Sequence, residues 1–218
     1  MANMKAMLLG SWLGDKLMRD CNIAAISDHG AFRRIKLTGL AQAPQPGDKI
    51  QIYVPELGAR TYSPFGWDHG AFEIVALNRN GFIGGMKVGD RVRFIGPQTS
   101  TKIADLIGPV ALFGDETSFG VAKSLWDSRR GDAPLRLEVE DIAACEPMLE
   151  ALGLPKDSLR PRNDLAAIAR DLHAANASLV LTGNARSIQA LRDQLKQLGN
   201  TKPQRVKGYW AEGKRGID

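Results

Sequence analysis

In the stretch ARTYSPFG, residues 59–66, an arginine, a tyrosine and a serine crowd together before a proline and a glycine. Alternation is the period of an extended strand, so Arg60, Tyr62 and Pro64 share one face and Thr61 and Ser63 the other. A buried strand face rarely takes an arginine without an anion to meet it. The forked donors of Arg60 suit a diphosphate. The Tyr62 ring can lie against a flat heterocycle, and Ser63 with its backbone can hydrogen-bond a heteroatom of that ring. The plainer reading of the same residues is an exposed arginine beside a half-buried tyrosine.

Three further segments have the composition of ligand-binding turns. NRNGFIGGMK, residues 78–87, is glycine-rich and carries Arg79 and Lys87 towards its ends. Glycines such as Gly84 and Gly85 let backbone amides approach a ligand closely, and the flanking cations offset phosphate charge. The competing reading is a mobile hairpin connection. LFGDETS and VLTGNARS each lead from an apolar run into a helical pattern, with Gly114, Thr117 and Gly183 at the turns. Free N–H groups at a helix N-terminus are the usual seat for a phosphate. Thr117 or Ser118 is the expected cap of the first helix, and Asn184 or Ser187 of the second. Asp115 and Glu116 suit a pyrophosphate neighbour only if they point away. The GxGxxG dinucleotide fingerprint is absent.

These residues must be positioned by two kinds of structure. Residues 22–96 read as six short strands, at 22–27, 31–39, 48–55, 59–65, 71–78 and 90–96, separated by glycine- and aspartate-rich turns. Strands at this spacing predict a closed or nearly closed antiparallel β-barrel. After Pro97 the rhythm changes. Buried-strand runs at 109–114, 135–140, 177–183 and 204–210 alternate with helical patterns at 115–129, 163–176 and 185–199. ACEPMLEAL, residues 144–152, lies among them. Phe119, Ala122 and Trp126 mark one helix face, and Ile188, Leu191, Leu195 and Leu198 another. Strand–helix alternation predicts a parallel sheet with helices on both faces. The expected organisation is a two-domain α+β chain. A six-stranded β-barrel over 1–97 precedes a Rossmann-like α/β domain over 98–218, with the boundary within 97–108.

Composition narrows the function classes. The chain has 218 residues, 44% of them hydrophobic and 24% charged, within the range of folded soluble proteins. The apolar stretch AMLLGSWLG at 6–14 is too short to span a bilayer and lacks a signal-peptide pattern, so a cytoplasmic protein is expected. Cys21 and Cys145 are far apart and outside any CxxC pair, as expected of reduced, packed thiols. His29, His69 and His173 have no metal-ligand spacing. The formal charge of +5 suits anionic partners. The basic residues form no single run and aromatics make up only 6%, which argues against a nucleic-acid binder.

The order of these motifs resembles that of the ferredoxin–NADP reductase superfamily. Within it, the sequence is most similar to the siderophore-interacting proteins, which are flavin-dependent ferric-siderophore reductases. ARTYSPFGWD is similar to that family's flavin strand. VGDRVRFIGPQTS resembles the segment that closes its barrel, and ALFGDETSFGVAKSL its Gly-Asp-Glu-Thr turn. LVLTGNARSIQALRDQL resembles its Gly-Glu-Ala segment, with Asn184 in place of the acid. KGYWAEGKRG is similar to its Tyr-Trp tail. The glycine-rich turn departs from the family pattern, lacking the histidine before it and the serine and tryptophan after it.

The resemblance implies FAD in the barrel and NAD(P)H on the α/β half. Carried over by position, Arg60 would contact the FAD phosphates, Tyr62 the flavin ring and Ser63 the flavin edge. Thr61 falls within the same motif, and Arg79, Gly84 and Gly85 would belong to the diphosphate turn. Gly114, Thr117 and Gly183 would line the nicotinamide-nucleotide groove, with Tyr209 and Trp210 near the domain junction. The implied activity is an NAD(P)H-dependent flavin oxidoreductase that passes electrons to a separate acceptor, a ferric siderophore or other anionic chelate. Lys202, Lys207, Lys214 and Arg215 would favour such an anion. The rival expectation, motivated by the altered glycine-rich turn, is a non-enzymatic binder of an anionic ligand that has lost flavin. Arg160, Arg162 and Arg186 are all candidate partners for a 2′-phosphate, so the choice between NADH and NADPH stays open.

Overall fold

Alternating apolar and polar residues build the first sheet. In β2 (Phe32–Thr38) and β6 (Ala71–Leu77) the buried positions follow the two-residue period of a strand with one face inward. A computed structural model of the chain describes residues 18–54, 58–78 and 81–213. The other strands of this sheet are β1 (Arg19–His29), β3 (Asp48–Val54), β4 (Gly58–Tyr62), β5 (Phe65–Asp68) and β7 (Arg91–Thr99). They form an antiparallel sheet in the order β4-β3-β7-β1-β2-β6-β5. Its inner face holds Ile23, Ile35, Leu37, Ile50, Ile52, Phe72, Ile74 and Phe94, with Phe72 and Phe94 in ring contact.

This sheet corrects the six-stranded expectation in its strand count, while its open, barrel-like form falls within the closed or nearly closed barrel expected. It has seven strands, because the run at 59–65 breaks after Tyr62 and restarts at Phe65. Pro64 lacks the N–H that a continuous ladder needs. The sheet is also barrel-like rather than closed: β4 approaches β6, but among the described residues no hydrogen-bonded ladder joins the two ends. Within the glycine-rich stretch, Gly81–Gly84 forms a short helix, α1, in place of an extended turn.

The second sheet is parallel throughout: β8 (Val110–Gly114), β9 (Leu135–Val139), β10 (Leu159–Pro161), β11 (Ser178–Asn184) and β12 (Gln204–Trp210). Its order is β10-β9-β8-β11-β12. Numbered within the unit, that is 3-2-1-4-5, the doubly wound order that reverses direction between its first and fourth strands. Helices cover both faces, α2 (Phe119–Ser128) and α3 (Ile142–Ala151) on one, α4 (Leu165–Ala174) and α5 (Ala185–Gln197) on the other. Along β8, Val110 and Leu112 enter the first layer while Ala111 and Phe113 enter the second. β8 and β11 are apolar nearly throughout because both faces are buried. ACEPMLEAL belongs to α3, and β10 is a strand that its three residues do not announce. Leu198 falls at the C-cap of α5 and is exposed, unlike Ile188, Leu191 and Leu195.

The two sheets are packed together. Phe32 of β2 meets Phe119 at the start of α2 edge-on, with ring centroids 4.9 Å apart. Both rings are fully buried in a cluster that also takes in Phe65, Leu112 and Leu137. Arg34 donates to the Ala151 carbonyl at the end of α3 (2.9 Å) and pairs with Glu73. Gly30 lies so close to α3 that a Cβ would stand 2.5 Å from the Ala144 carbonyl oxygen. Truncating Phe119 to alanine would open a cavity in this shared core, with an expected loss of roughly 3–5 kcal/mol. Urea unfolding monitored separately for the two halves should then show a lower midpoint for both. A shift in the α/β half alone would mean that the layers fold independently.

Candidate functional site

In an open α/β sheet, ligands bind beyond the carboxyl ends of the strands, where the order reverses. Here that point lies between β8 and β11, and a buried carboxylate organises it. Asp115 directly follows β8 and is 0% exposed. Its Oδ1 accepts from the Thr117 N–H (2.8 Å) and the Thr117 hydroxyl (2.5 Å). Its Oδ2 accepts from the Asn184 N–H at the end of β11 and from the Trp210 indole N–H at the end of β12, both at 2.7 Å. One side chain thus ties together the ends of three neighbouring strands. Charge-assisted bonds of this kind are the condition for burying a carboxylate at all.

The same turn is closed from beneath by hydroxyls. The Asp115 N–H donates to Ser118 Oγ (3.2 Å), which meets Thr182 Oγ1 at 2.9 Å, and Thr182 reaches the Phe113 carbonyl at 3.2 Å. Asp115 and Ser118 form a reciprocal capping box around the 3₁₀ turn Glu116–Ser118. Ser118 stands at the N-cap of α2, one of the two positions the sequence offers, but its side chain makes no capping bond to that helix. Asn184 does cap α5, accepting from the Arg186 and Ser187 N–H groups. Gly183 has φ of +101°, and a Cβ there would lie 2.5 Å from the Asp115 carboxyl carbon. At Gly114 a Cβ would lie 2.4 Å from that of Ser118. Both glycines therefore make room for the capping network. Thr117 is the exposed member of the turn.

Arg60, Thr61 and Tyr62 lie on β4, an edge strand, paired with Ile52, Gln51 and Ile50 of β3. Arg60 is exposed, and its Nη1 donates to the Ala59 carbonyl (2.9 Å). Tyr62 packs against the core of the first sheet, and burial pushes its phenol pKa up against the opposing effect of Arg60. Ser63 then reaches the other half of the molecule. Its carbonyl oxygen stands where a Cβ on Gly120, in the first turn of α2, would come within 2.6 Å. The strand that carries Arg60 and Tyr62 therefore ends against the helix that starts from the Asp115 turn. Tyr209 packs on the shared core beside this seam.

The structure thus brings Gly114, Thr117, Gly183 and Trp210 together around Asp115, and sets Ser63, at the end of the strand that carries Arg60, Thr61 and Tyr62, against Gly120 of the helix that follows. Gly84 is tied elsewhere: Arg33 of β2 donates to the Ile83 and Gly84 carbonyls at 2.9 and 3.2 Å while pairing with Asp28. Gly85 follows directly on α1. Arg79, Lys214 and Arg215 lie outside the described residues. Among the described residues no group of histidine, cysteine and carboxylate side chains has the arrangement of a metal site, and no helix is long and apolar enough to cross a membrane. Cys21 and Cys145 are buried and form no disulfide, and burial raises the Cys21 thiol to about 12.

Sequence reasoning missed Glu138, and it did not show that Arg162 and Glu116 pair with each other. Glu138 of β9 is 1% exposed, and its Oε1 has no hydrogen-bond partner. Burial raises its carboxyl from the ordinary 4.5 to about 7; the Ser187 hydroxyl and Arg162 oppose the shift, and Asp115 and Glu116 add to it. Arg162 donates to Glu116 Oε2 (2.6 Å) and pairs with Glu140, while Glu116 Oε1 accepts from the Glu140 N–H (2.8 Å). Glutamate in an LEVE run looks like the wet side of a strand, and only the second helical layer shows otherwise.

No protein-family model and no curated protein matches the chain at the level of sequence. Phthalate dioxygenase reductase, which transfers electrons from pyridine nucleotides to a [2Fe-2S] centre, superposes with a TM-score of 0.70 at 15% identity, over 92% of this chain and 71% of its own. The flavohaem-like FAD/NAD binding domain of nitric oxide dioxygenase from Vibrio cholerae O1 biovar El Tor gives 0.68 at 16% identity, over 88% of this chain and 98% of its own. The siderophore-interacting protein from Acinetobacter baumannii gives 0.66 at 17% identity, over 91% and 92% of the two chains. The chain therefore has the two-sheet fold of ferredoxin-reductase-like proteins, siderophore-interacting proteins included.

Two outcomes follow from the buried carboxylates. Asp115→Asn keeps the shape but places an amide against N–H donors, so a loss of roughly 2–4 kcal/mol is expected. Trp210 fluorescence should shift towards that of a solvated indole, whereas an unchanged spectrum and midpoint would refute the Asp115–Trp210 tie. For Glu138 the folded pKa lies above the unfolded one, so its neutral form contributes stability that is full below pH 4.5 and lost as pH rises through about 7. Glu138→Gln should raise stability on the order of 2 kcal/mol above neutrality, with the difference vanishing in acid. Parallel pH–stability curves for the two proteins would contradict this.

Proposed function

We propose that this chain is an NAD(P)H-dependent flavin oxidoreductase that passes electrons to a ferric chelate of the siderophore class. The observation that carries the reading is the seam at Ser63 and Gly120, where the Arg60–Tyr62 strand abuts the turn at the switch point of the nucleotide-type sheet. Cofactors that must exchange a hydride have to meet at such a seam. The residues fit FAD: β4 offers an outward guanidinium, a half-buried phenol next to it, and a serine at the junction. They also fit a pyridine nucleotide, because the Asp115 carboxylate is turned inward onto four donors and does not oppose a phosphate at the groove. The fold's likeness to a reductase that takes electrons from pyridine nucleotides and to an FAD/NAD binding domain supports the same reading.

In this mechanism Arg60 would hold the FAD diphosphate, Tyr62 would support the ring and Ser63 would hydrogen-bond its edge, with Thr61 lending its backbone to the strand. Thr117, with Gly114 and Gly183 beneath it, borders the nicotinamide groove, and Trp210, fixed by Asp115, walls the junction. When bound, the flavin supplies hydride acceptance and single-electron release. No side chain of this chain is needed as nucleophile or general acid. The division into a flavin domain at 1–97 and a nucleotide domain at 98–218, and a cytoplasmic setting, belong to the same proposal.

The test is a spectrum of the purified protein with FAD, taken without oxygen before and after a pyridine nucleotide is added. A flavin band that bleaches, and returns on addition of a ferric chelate, is expected. Protein that ignores FAD would favour an anion-binding chain without flavin. Arg60→Ala should weaken FAD binding more than about tenfold, since a charge-assisted contact contributes roughly 1.5–3 kcal/mol. Unchanged affinity in a fluorescence titration would misplace the diphosphate.

A further inference from the structure

In the 3-2-1-4-5 order, the residue that ends the second strand stands where a dinucleotide's adenine ribose arrives. An acid there accepts from the 2′-hydroxyl of NAD, whereas an arginine nearby accommodates the 2′-phosphate of NADP. The second strand here is β9, and the residue after it is Glu140. Its side chain is 55% exposed.

Each of the three candidate arginines named for a 2′-phosphate is already engaged by a carboxylate. Arg162 spans Glu116 and Glu140. Arg160 pairs with Asp171 at 3.4 Å and also donates to the Leu159 carbonyl at 3.0 Å. Asp171 is held more closely by Arg136, at 2.7 Å. Arg186 pairs with Glu212 at 2.8 Å, and both are largely exposed.

The balance of charge at the end of β9 is acidic. Arg162 faces Glu116, Glu140 and the buried Glu138, whose Oε1 is unpartnered. Asp141 follows, its carboxylate spent on the N-terminus of α3 through the Ala144 N–H. A 2′-phosphate at this point would have to draw Arg162 away from carboxylates that remain beside it. A 2′-hydroxyl needs only an acceptor, and Glu140 offers one while keeping Arg162.

We propose that the nucleotide groove selects NADH over NADPH, with Glu140 as the specificity-determining residue and Arg162 as the residue that positions it. This rests on the dinucleotide reading of the groove given above. Like charges brought together at a recognition site are the usual means of excluding a close analogue.

The test is calorimetric titration of the purified, FAD-supplemented protein with NADH and with NADPH, repeated on Glu140→Gln. The dissociation constant for NADH should be lower by about tenfold or more. In Glu140→Gln, which keeps an acceptor for the ribose and removes the charge, the gap should narrow, chiefly through tighter NADPH binding. Equal affinities, or a preference for NADPH, would overturn the selectivity while leaving the dinucleotide groove intact. A ratio unchanged in the variant would remove Glu140 from the role. Binding of neither nucleotide would overturn the groove itself and the inference with it.

Discussion

A carboxylate with no access to water has to find its hydrogen bonds inside the protein, and Asp115 finds them in its own turn and on two neighbouring strands at once. Much of the geometry of the α/β half follows from that requirement. Gly183 is a glycine, at positive φ, because a side chain there would occupy the carboxyl group's place. Gly114 is one because Ser118 must fold back over the turn. Trp210 is fixed at the end of the sheet because its indole N–H is one of the donors. The turn looks from its composition like a phosphate cradle, yet its first task is to bury one negative charge of its own.

The seam between the sheets is the second constraint. Apolar contact between Phe32 and Phe119, and the close approaches at Gly30 and Gly120, make the two layers one packed body. Such close-packed contacts tolerate little change of shape. A ligand bridging β4 and the switch point would therefore meet a preformed surface. In the proposed reaction that rigidity fixes the distance between two cofactors, a task for which the protein needs orientation more than reactive side chains.

The alternation of β2, β3, β6 and β7, and the apolar runs of β8 and β11, made both sheets legible in the sequence. Strand and helix periods are set by local geometry and survive any tertiary context. Three features were not legible, for physical reasons. The break after Tyr62 depends on Pro64 falling where the ladder would need its N–H. Helix α3 contains Pro147, which ordinarily argues against a helix interior. The direction of a short acidic side chain cannot be read from its neighbours, so Asp115 looked like an obstacle to a phosphate. Of the residues expected to bind ligands, Gly114, Thr117, Gly183 and Trp210 gather at Asp115 and Ser63 abuts Gly120, whereas Gly84 belongs to a separate arrangement around Arg33. Glu138 and Arg162 are far apart in the sequence and meet only through the parallel pairing of β9 with β10.

The central claim is that β4 and the Asp115 turn form the two sides of one redox site. A crystal structure of the protein with FAD tests it most directly. The account predicts the diphosphate on the Arg60 guanidinium, and the isoalloxazine ring over Tyr62 with its reactive edge at Ser63, facing the groove between Thr117 and Trp210. FAD bound away from β4, or Arg60 and Tyr62 turned from it with the seam unfilled, would contradict the account.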